Sequence, residues 1–332
     1  ISDNIGDQLY QARALTVMSN HLTRLGRFEE ARDYCLRSVE ISEAHDDKRG
    51  LGMSYGNLGS LATLQGDYDA GENYQRLSLA VNREIGNVQG ITKSLNNLGS
   101  VQWHRGNLKQ AREFYTQCLQ IRQEINDQLG IADVLNNLGA VSALSGDFEG
   151  AKAYWTQCLE ISERNQIRRL LATSLINLAN VYKDLKDYTQ ALRYFHEAEV
   201  LTREIKMRYP LLNARLGIGF IYIALNQPEE AVPYLLGVLT ESREMSSMAM
   251  MFWAVVGIAH VYFLRGDVER AAEIVGMVKV HKVANDVNLK RDLETLLTLV
   301  SETLSPSSLD ATLEQGRFCD PDTVISQILT ES

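Results

Sequence analysis

With 332 residues, 45% of them hydrophobic, the chain has ample apolar material for a continuous core. Its five prolines all lie at or after Pro210, which leaves the greater part free of helix breakers. A net charge of −9 and a pI near 5.3, without any stripe of Lys and Arg, exclude a nucleic-acid or anionic-membrane surface. No apolar run reaches about eighteen residues and no signal sequence is present, so no membrane span is expected.

The chain opens on ISDNIGDQ, in which Ile5-Gly6-Asp7 matches Ile85-Gly86-Asn87 farther along. Residues 1–7 are therefore expected to be the end of a truncated preceding repeat, in a protein whose N-terminal part has been cut away. Residues 8–282 then carry seven repeats of forty residues, clearest from Leu95 to Val134. Gly26, Gly66, Gly106, Gly146 and Gly266 fall at intervals of forty or its multiples, with Lys186 and Asn226 in the two remaining slots. Alanine follows five residues later at Ala31, Ala111, Ala151, Ala191, Ala231 and Ala271, and Gly71 is the exception. A fixed period of this size means a solenoid, because one such unit cannot bury its apolar face alone.

Each repeat reads as two helices. Around Gly106 the first runs from about Ile91 to Arg105, with Leu95, Leu98 and Val101 at helical spacing. Gly106 is expected to end it in the left-handed conformation. Asn107, and Asp67, Asp147, Asp187 and Asp267 in sister repeats, are then expected to cap the second helix. Leu58, Leu98, Leu138, Leu178, Ile218 and Ile258 form an apolar column beside small residues such as Gly59, Gly99 and Gly139, which let the paired helices approach closely. Tyr34, Tyr74, Phe114, Tyr154, Tyr194 and Tyr234 form an aromatic column on the second helices, with Ile41, Val81, Ile121, Ile161 and Leu201 as an aliphatic one. Both columns are expected to be core.

The last two repeats drift. Pro228 and Pro233 flank the start of one second helix, and MAMMFWAVV (248–256) makes a first helix apolar all round. Residues 283–332 lose the repeat columns and are expected to form C-terminal capping helices: one over 286–304, then Leu309 to Gln315, then Pro321 to Leu329 with Asp320 as its cap.

Leucine-glycine, a glycine seven residues on, then Asp-aromatic and alanine, as in LGSLATLQGDYDAG and LGAVSALSGDFEGA, resembles the tetratricopeptide repeat over residues 8 to 280. That resemblance implies an all-α fold, a right-handed α-solenoid of antiparallel helix pairs. The forty-residue period is longer than the common form, so helices or linkers should be extended, with turns such as GNVQG (86–90) and NDQLG (126–130) absorbing part of the excess. The tail, LDATLEQGRFCDPDTVISQIL, resembles the close of the repeat region in bacterial regulators that carry a STAND-type ATPase or a LuxR- or SARP-like regulator. This second resemblance implies a sensor in signal transduction, acting on ATPase or effector domains of its own longer chain.

No phosphate-binding loop, HExxH, GxSxG or GxGxxG in a strand context occurs, so no enzyme, cofactor or metal is expected. Cys35, Cys118, Cys158 and Cys319 show no CxxC, and reduced core thiols suit a cytoplasmic protein. What remains is a face. First helices line the inner side of such an array, and Asn57, Asn97, Asn137 and Asn177 form a column there, with Asn96 and Asn136 beside it. Each amide offers two donors and an acceptor, which suits the main chain of an extended peptide. The inner asparagine ladders of O-GlcNAc transferase and of LGN-like adaptors are similar. Equally, these amides could tie one repeat to the next.

Farther on the inner face turns apolar, with Phe220, Ile223, Trp253, Val256, His260 and Phe263, and Trp103 and His104 as an outlying contact. These residues either form a pocket for an apolar side chain or lie beneath the tail. The expected partner is therefore a peptide or protein segment in a groove, with no nucleic acid and no membrane. The rival expectation is a constitutive scaffold or oligomerisation arm, with the helix from Arg13 to Arg24 in the contact.

Overall fold

A computed structural model describes residues 2–281 and 287–331. The expected boundary between repeats and tail, at 282 and 283, lies outside the described residues. Among those described, the chain forms 17 α-helices and no strand. Seven antiparallel pairs come first: α1 (Ser2–Arg24) with α2 (Phe28–Ala44), α3 (Lys48–Leu64) with α4 (Tyr68–Glu84), α5 (Val88–His104) with α6 (Leu108–Glu124), and α7 (Gln128–Leu144) with α8 (Phe148–Arg164). They continue as α9 (Arg168–Asp184) with α10 (Tyr188–Glu204), α11 (Arg208–Ala224) with α12 (Pro228–Glu244), and α13 (Met248–Leu264) with α14 (Val268–Lys279). Three tail helices follow, α15 (Val287–Thr303), α16 (Pro306–Arg317) and α17 (Pro321–Glu331).

The forty-residue period is two equal halves. From α2 to α13 every helix has 17 residues, and the breaks between helices are three residues long. The excess length over the common repeat therefore sits in the helices, not in the linkers. GNVQG and NDQLG are mostly helical, since Val88 and Gln128 already begin α5 and α7. The middle residue of each break has positive φ: Gly26, Gly66, Gly86, Gly106, Gly146 and Gly266, and also Asp46, Asn126, Gln166, Lys186, Lys206, Asn226 and Ser246. At Gly86 the closure is a paired bond, Gly86 N–H to the Arg83 carbonyl at 3.2 Å and Asn87 N–H to the Asn82 carbonyl at 2.8 Å.

Asp67, Asp147, Asp187 and Asp267 cap as expected, each Oδ1 accepting the N–H three residues on at 2.9 to 3.2 Å. Asn107 does not. Its Nδ2 donates to Oε1 of Gln102 at 2.9 Å instead, a partner that an amide can reach as donor and a carboxylate cannot. Residues 2–7 lie within α1, which runs unbroken from Ser2 to Arg24.

The chain divides into two compact units, residues 1–170 and 171–332. In unit 1 the Leu58, Leu98 and Leu138 column is buried, as are Ala31, Ala111 and Ala151. Gly99 lies under the Tyr115 ring and Gly139 under the Trp155 indole, where a Cβ would come within 2.6 and 2.5 Å, so only glycine admits that approach. On the second helices the buried aromatics are thus Tyr115, Trp155 and, in unit 2, Phe195. The predicted column at Phe114, Tyr154 and Tyr194 stands one residue earlier and is half-buried, because neighbours on a helix point about 100° apart. The aliphatic column at Val81, Ile121 and Leu201 is half-buried for the same reason. Cys35, Cys118 and Cys158 are free thiols sealed in the core, and Cys319 is partly exposed.

Unit 2 is more apolar and carries the tail. The inner face of α13 is covered by α15, whose Leu289, Leu293, Leu296 and Val300 join one cluster with Val255, Val256 and Ile258. Four such side chains stabilise the seat by about 1.5–3 kcal/mol each. This explains a helix apolar all round. Val324, Ile325 and Ile328 of α17 close the same cluster, and Asp320 caps α17 through the Thr323 N–H at 2.9 Å.

Candidate functional site

The first helices of unit 1 hold their asparagines in register. Asn57 is only 7% exposed, and its Nδ2 donates to the Thr16 carbonyl at 3.3 Å. Asn97 donates to Oγ of Ser60 at 3.3 Å, and Asn137 to Oδ1 of Asn96 at 3.1 Å. Each bond joins a first helix to the first helix before it: α3 to α1, α5 to α3, α7 to α5. The amides therefore tie repeats together. Asn96, Asn97, Asn136 and Asn137 nevertheless stay half-buried; Asn97 and Asn137 each give one of two donors to these bonds, and Asn96 gives its acceptor. The Asn136 carbonyl accepts from the Trp155 indole at 3.1 Å, which fixes the helix beneath that row.

Trp103 and His104 end α5. Trp103 is half-buried with its Nε1 sealed and unpartnered. His104 is exposed, stacked on Tyr68 at 5.8 Å and set against the Trp103 ring edge at 4.7 Å. They form a local aromatic end to the helix pair.

In unit 2 the line Trp253, Val256, His260, Phe263 does not form an open groove. Val256 is 0% and His260 8% exposed, and Phe263 and Ile223 pack against the cluster that α15 completes. Burial lowers the His260 imidazole to about 4, and a backbone hydrogen bond with Asp292 opposes this only in part. The neutral ring is thus a core group beneath α15.

Between the same elements a cavity of about 480 Å³ remains, walled by α9, α11, α13 and α15. Asn177, Phe220 and Trp253 border it, so three of the expected residues meet there. The Phe220 and Trp253 rings meet edge to face at 5.9 Å. The other polar groups were not anticipated: Asn180, Lys183, Asp184, Asn213, Arg291 and Asp292. Burial pushes the Lys183 ammonium below its ordinary range, with Asp184 and Asp292 acting the other way. Burial also raises the Asp292 carboxyl, against the pull of Arg291 and Lys183. Asn180 and Asn213 lie on the first helices at positions a search of the single asparagine column passes over. Arg291 and Asp292 lie beyond the repeats, where no register exists to place them. Among the described residues, no group of three or more His, Cys, Asp or Glu side chains is placed to hold a metal, and no helix is long and apolar enough to cross a membrane.

Solved structures share this architecture at low identity. A STAND protein with a tetratricopeptide repeat sensor from Pyrococcus horikoshii superposes with a TM-score of 0.72 at 18% identity, over 86% of this chain and 44% of that one. The chain thus spans less than half of that protein's length. The apo form of the quorum sensor NprR from B. thuringiensis matches with a TM-score of 0.68 at 16% identity, over 96% of this chain and 87% of the other. The apo form of RapI matches with a TM-score of 0.64 at 15% identity, over 86% and 99%. No curated protein matches. The sequence profile of the tetratricopeptide repeat matches residues 10–84, 90–164 and 170–239. Matched over more than half of its length, and built of helix pairs in the expected register, the chain belongs to the tetratricopeptide repeat family.

Proposed function

We propose that this chain is a non-enzymatic interaction module that holds an extended peptide or protein segment along its first helices. The observation that carries the reading is the row of half-buried amides at Asn96, Asn97, Asn136 and Asn137, in register on α5 and α7, in which Asn97 and Asn137 each give one of two donors to the preceding repeat. Such a row matches main-chain amides without reading their sequence. By analogy with the STAND protein that carries a repeat sensor, the bound segment governs an ATPase or transcription-regulator portion of a longer protein. The test is selection of a synthetic random-peptide library on the immobilised chain. Enrichment of peptides that compete with one another for a single site supports the reading, and no enrichment over a blank surface counts against it.

One observation favours a scaffold or oligomerisation arm instead. Met18 is the first repeat's counterpart of Leu58, yet it is 48% exposed where Leu58 is 2%. Tyr10 and Val17 of α1 and Leu25 just after it are exposed as well, an apolar stripe of the kind that marks interfaces. Light scattering decides this: a mass that rises with concentration supports the arm, and a constant monomer mass removes it.

A further inference from the structure

We propose that the cavity between α9, α11, α13 and α15 binds a small zwitterion with an apolar side chain, a free amino acid or an apolar dipeptide with both termini unblocked. Four charges of both signs border it, Lys183 and Asp184 at the end of α9 and Arg291 and Asp292 near the start of α15. Arg291 and Asp292 pair at 3.7 Å, with Arg291 65% exposed; a polypeptide in mid-chain offers only neutral amides and matches neither sign of charge. A free carboxylate suits the Lys183 ammonium and the Arg291 guanidinium, and a free ammonium suits Asp184 and Asp292.

The remaining walls fit the body of such a ligand. Asn177, Asn180 and Asn213 supply amide donors and acceptors for one peptide unit, and Phe220 and Trp253 supply a surface for the side chain. A volume of about 480 Å³ is that of a small-molecule site. The seat of α15 on α13 also blocks a chain from continuing along the inner face.

Burial lowers Lys183 and raises Asp292, while Asp184 and Asp292 act the other way on the first and Arg291 and Lys183 on the second. This site is confined to unit 2 and does not depend on the asparagine row of unit 1.

Isothermal titration calorimetry of the whole chain with Leu, Phe, Leu-Phe, N-acetyl-Leu-Phe and Leu-Phe-amide tests the proposal. Saturable binding of at least one unblocked ligand is expected, with either block weakening the dipeptide roughly tenfold or more. Lys183→Met should remove the preference for a free carboxylate and Asp292→Asn the preference for a free ammonium, both at wild-type melting temperature. Absence of binding at about 10 mM, equal binding of blocked and unblocked forms, or undiminished preferences in folded variants would overturn it. If a variant does not fold, the blocked-ligand comparison on the wild-type chain decides alone.

Discussion

Nδ2 of Asn137 donates to Oδ1 of Asn96 at 3.1 Å, so that a side chain of α7 grips one of α5. The pair is half-buried, where a hydrogen bond contributes about 1 kcal/mol net. Asn137→Ala should lower unfolding free energy by that amount, and Asn57→Ala by somewhat more because Asn57 is sealed from water. Urea unfolding followed by circular dichroism measures both. A loss of about 4 kcal/mol or more would mean that the row is structural cement with nothing to spare for a ligand.

Lys186 holds a φ of 62° where the sister repeats at Gly26, Gly66, Gly106, Gly146 and Gly266 hold glycine, and Lys206 a φ of 57° where one sister, Gly86, does. A side chain in this region costs about 1 kcal/mol relative to glycine. Lys186→Gly and Lys206→Gly should each stabilise the chain by up to about that amount, less what glycine's freedom costs in the unfolded state. Gly106→Lys should do the reverse, and thermal melts of the three variants check the signs.

Gly276 of α14 and Gly316 of α16 cross with almost no gap. A Cβ on the first would overlap the Leu313 carbonyl oxygen, and one on the second the Glu273 carbonyl oxygen. Backbone cannot yield as a side-chain tip can, so Gly276→Val should release α16 at a cost of about 2 kcal/mol or more. Limited proteolysis should then cut near Ser305, while the wild-type chain stays whole.

His260 links stability to pH. Its folded value, about 4, lies below the ordinary 6.5 because burial disfavours the charged ring. The unfolded chain takes up the proton first, so the stabilisation is complete above about pH 6.5 and is lost as pH falls toward about 4. The stability difference between wild type and His260→Gln should shrink by about 3 kcal/mol across that window. Denaturant titrations at several pH values measure it.

Much of the fold was legible because repetition multiplies weak signals. One glycine at position 106 is a weak stop, but glycines or their stand-ins at every fortieth residue fix the helix ends. The equal seventeen-residue helices were not legible, since Asp46, Gln166 and Ser246 occupy left-handed positions that only glycine or asparagine would advertise. The buried aromatics were placed one residue early, at Phe114 instead of Tyr115, because both positions in that repeat are aromatic. The asparagine column could be found but not its bonding, since Ser60 and Asn96 become partners only through the stacking of first helices. The cavity was hidden for a different reason. Half its charges come from α15, which follows the repeats and has no sister segment for comparison.

The account turns on whether the amide row receives a ligand as well as joining the repeats. The most direct measurement is the affinity of a library-selected peptide for the wild-type chain and for the double variant Asn97→Ala, Asn137→Ala, with melting temperature recorded for both. The account predicts binding weakened at least roughly tenfold while helicity is kept and melting falls by only a few degrees. Unchanged affinity in a folded variant, or loss of binding only together with collapse of the helices, would contradict it.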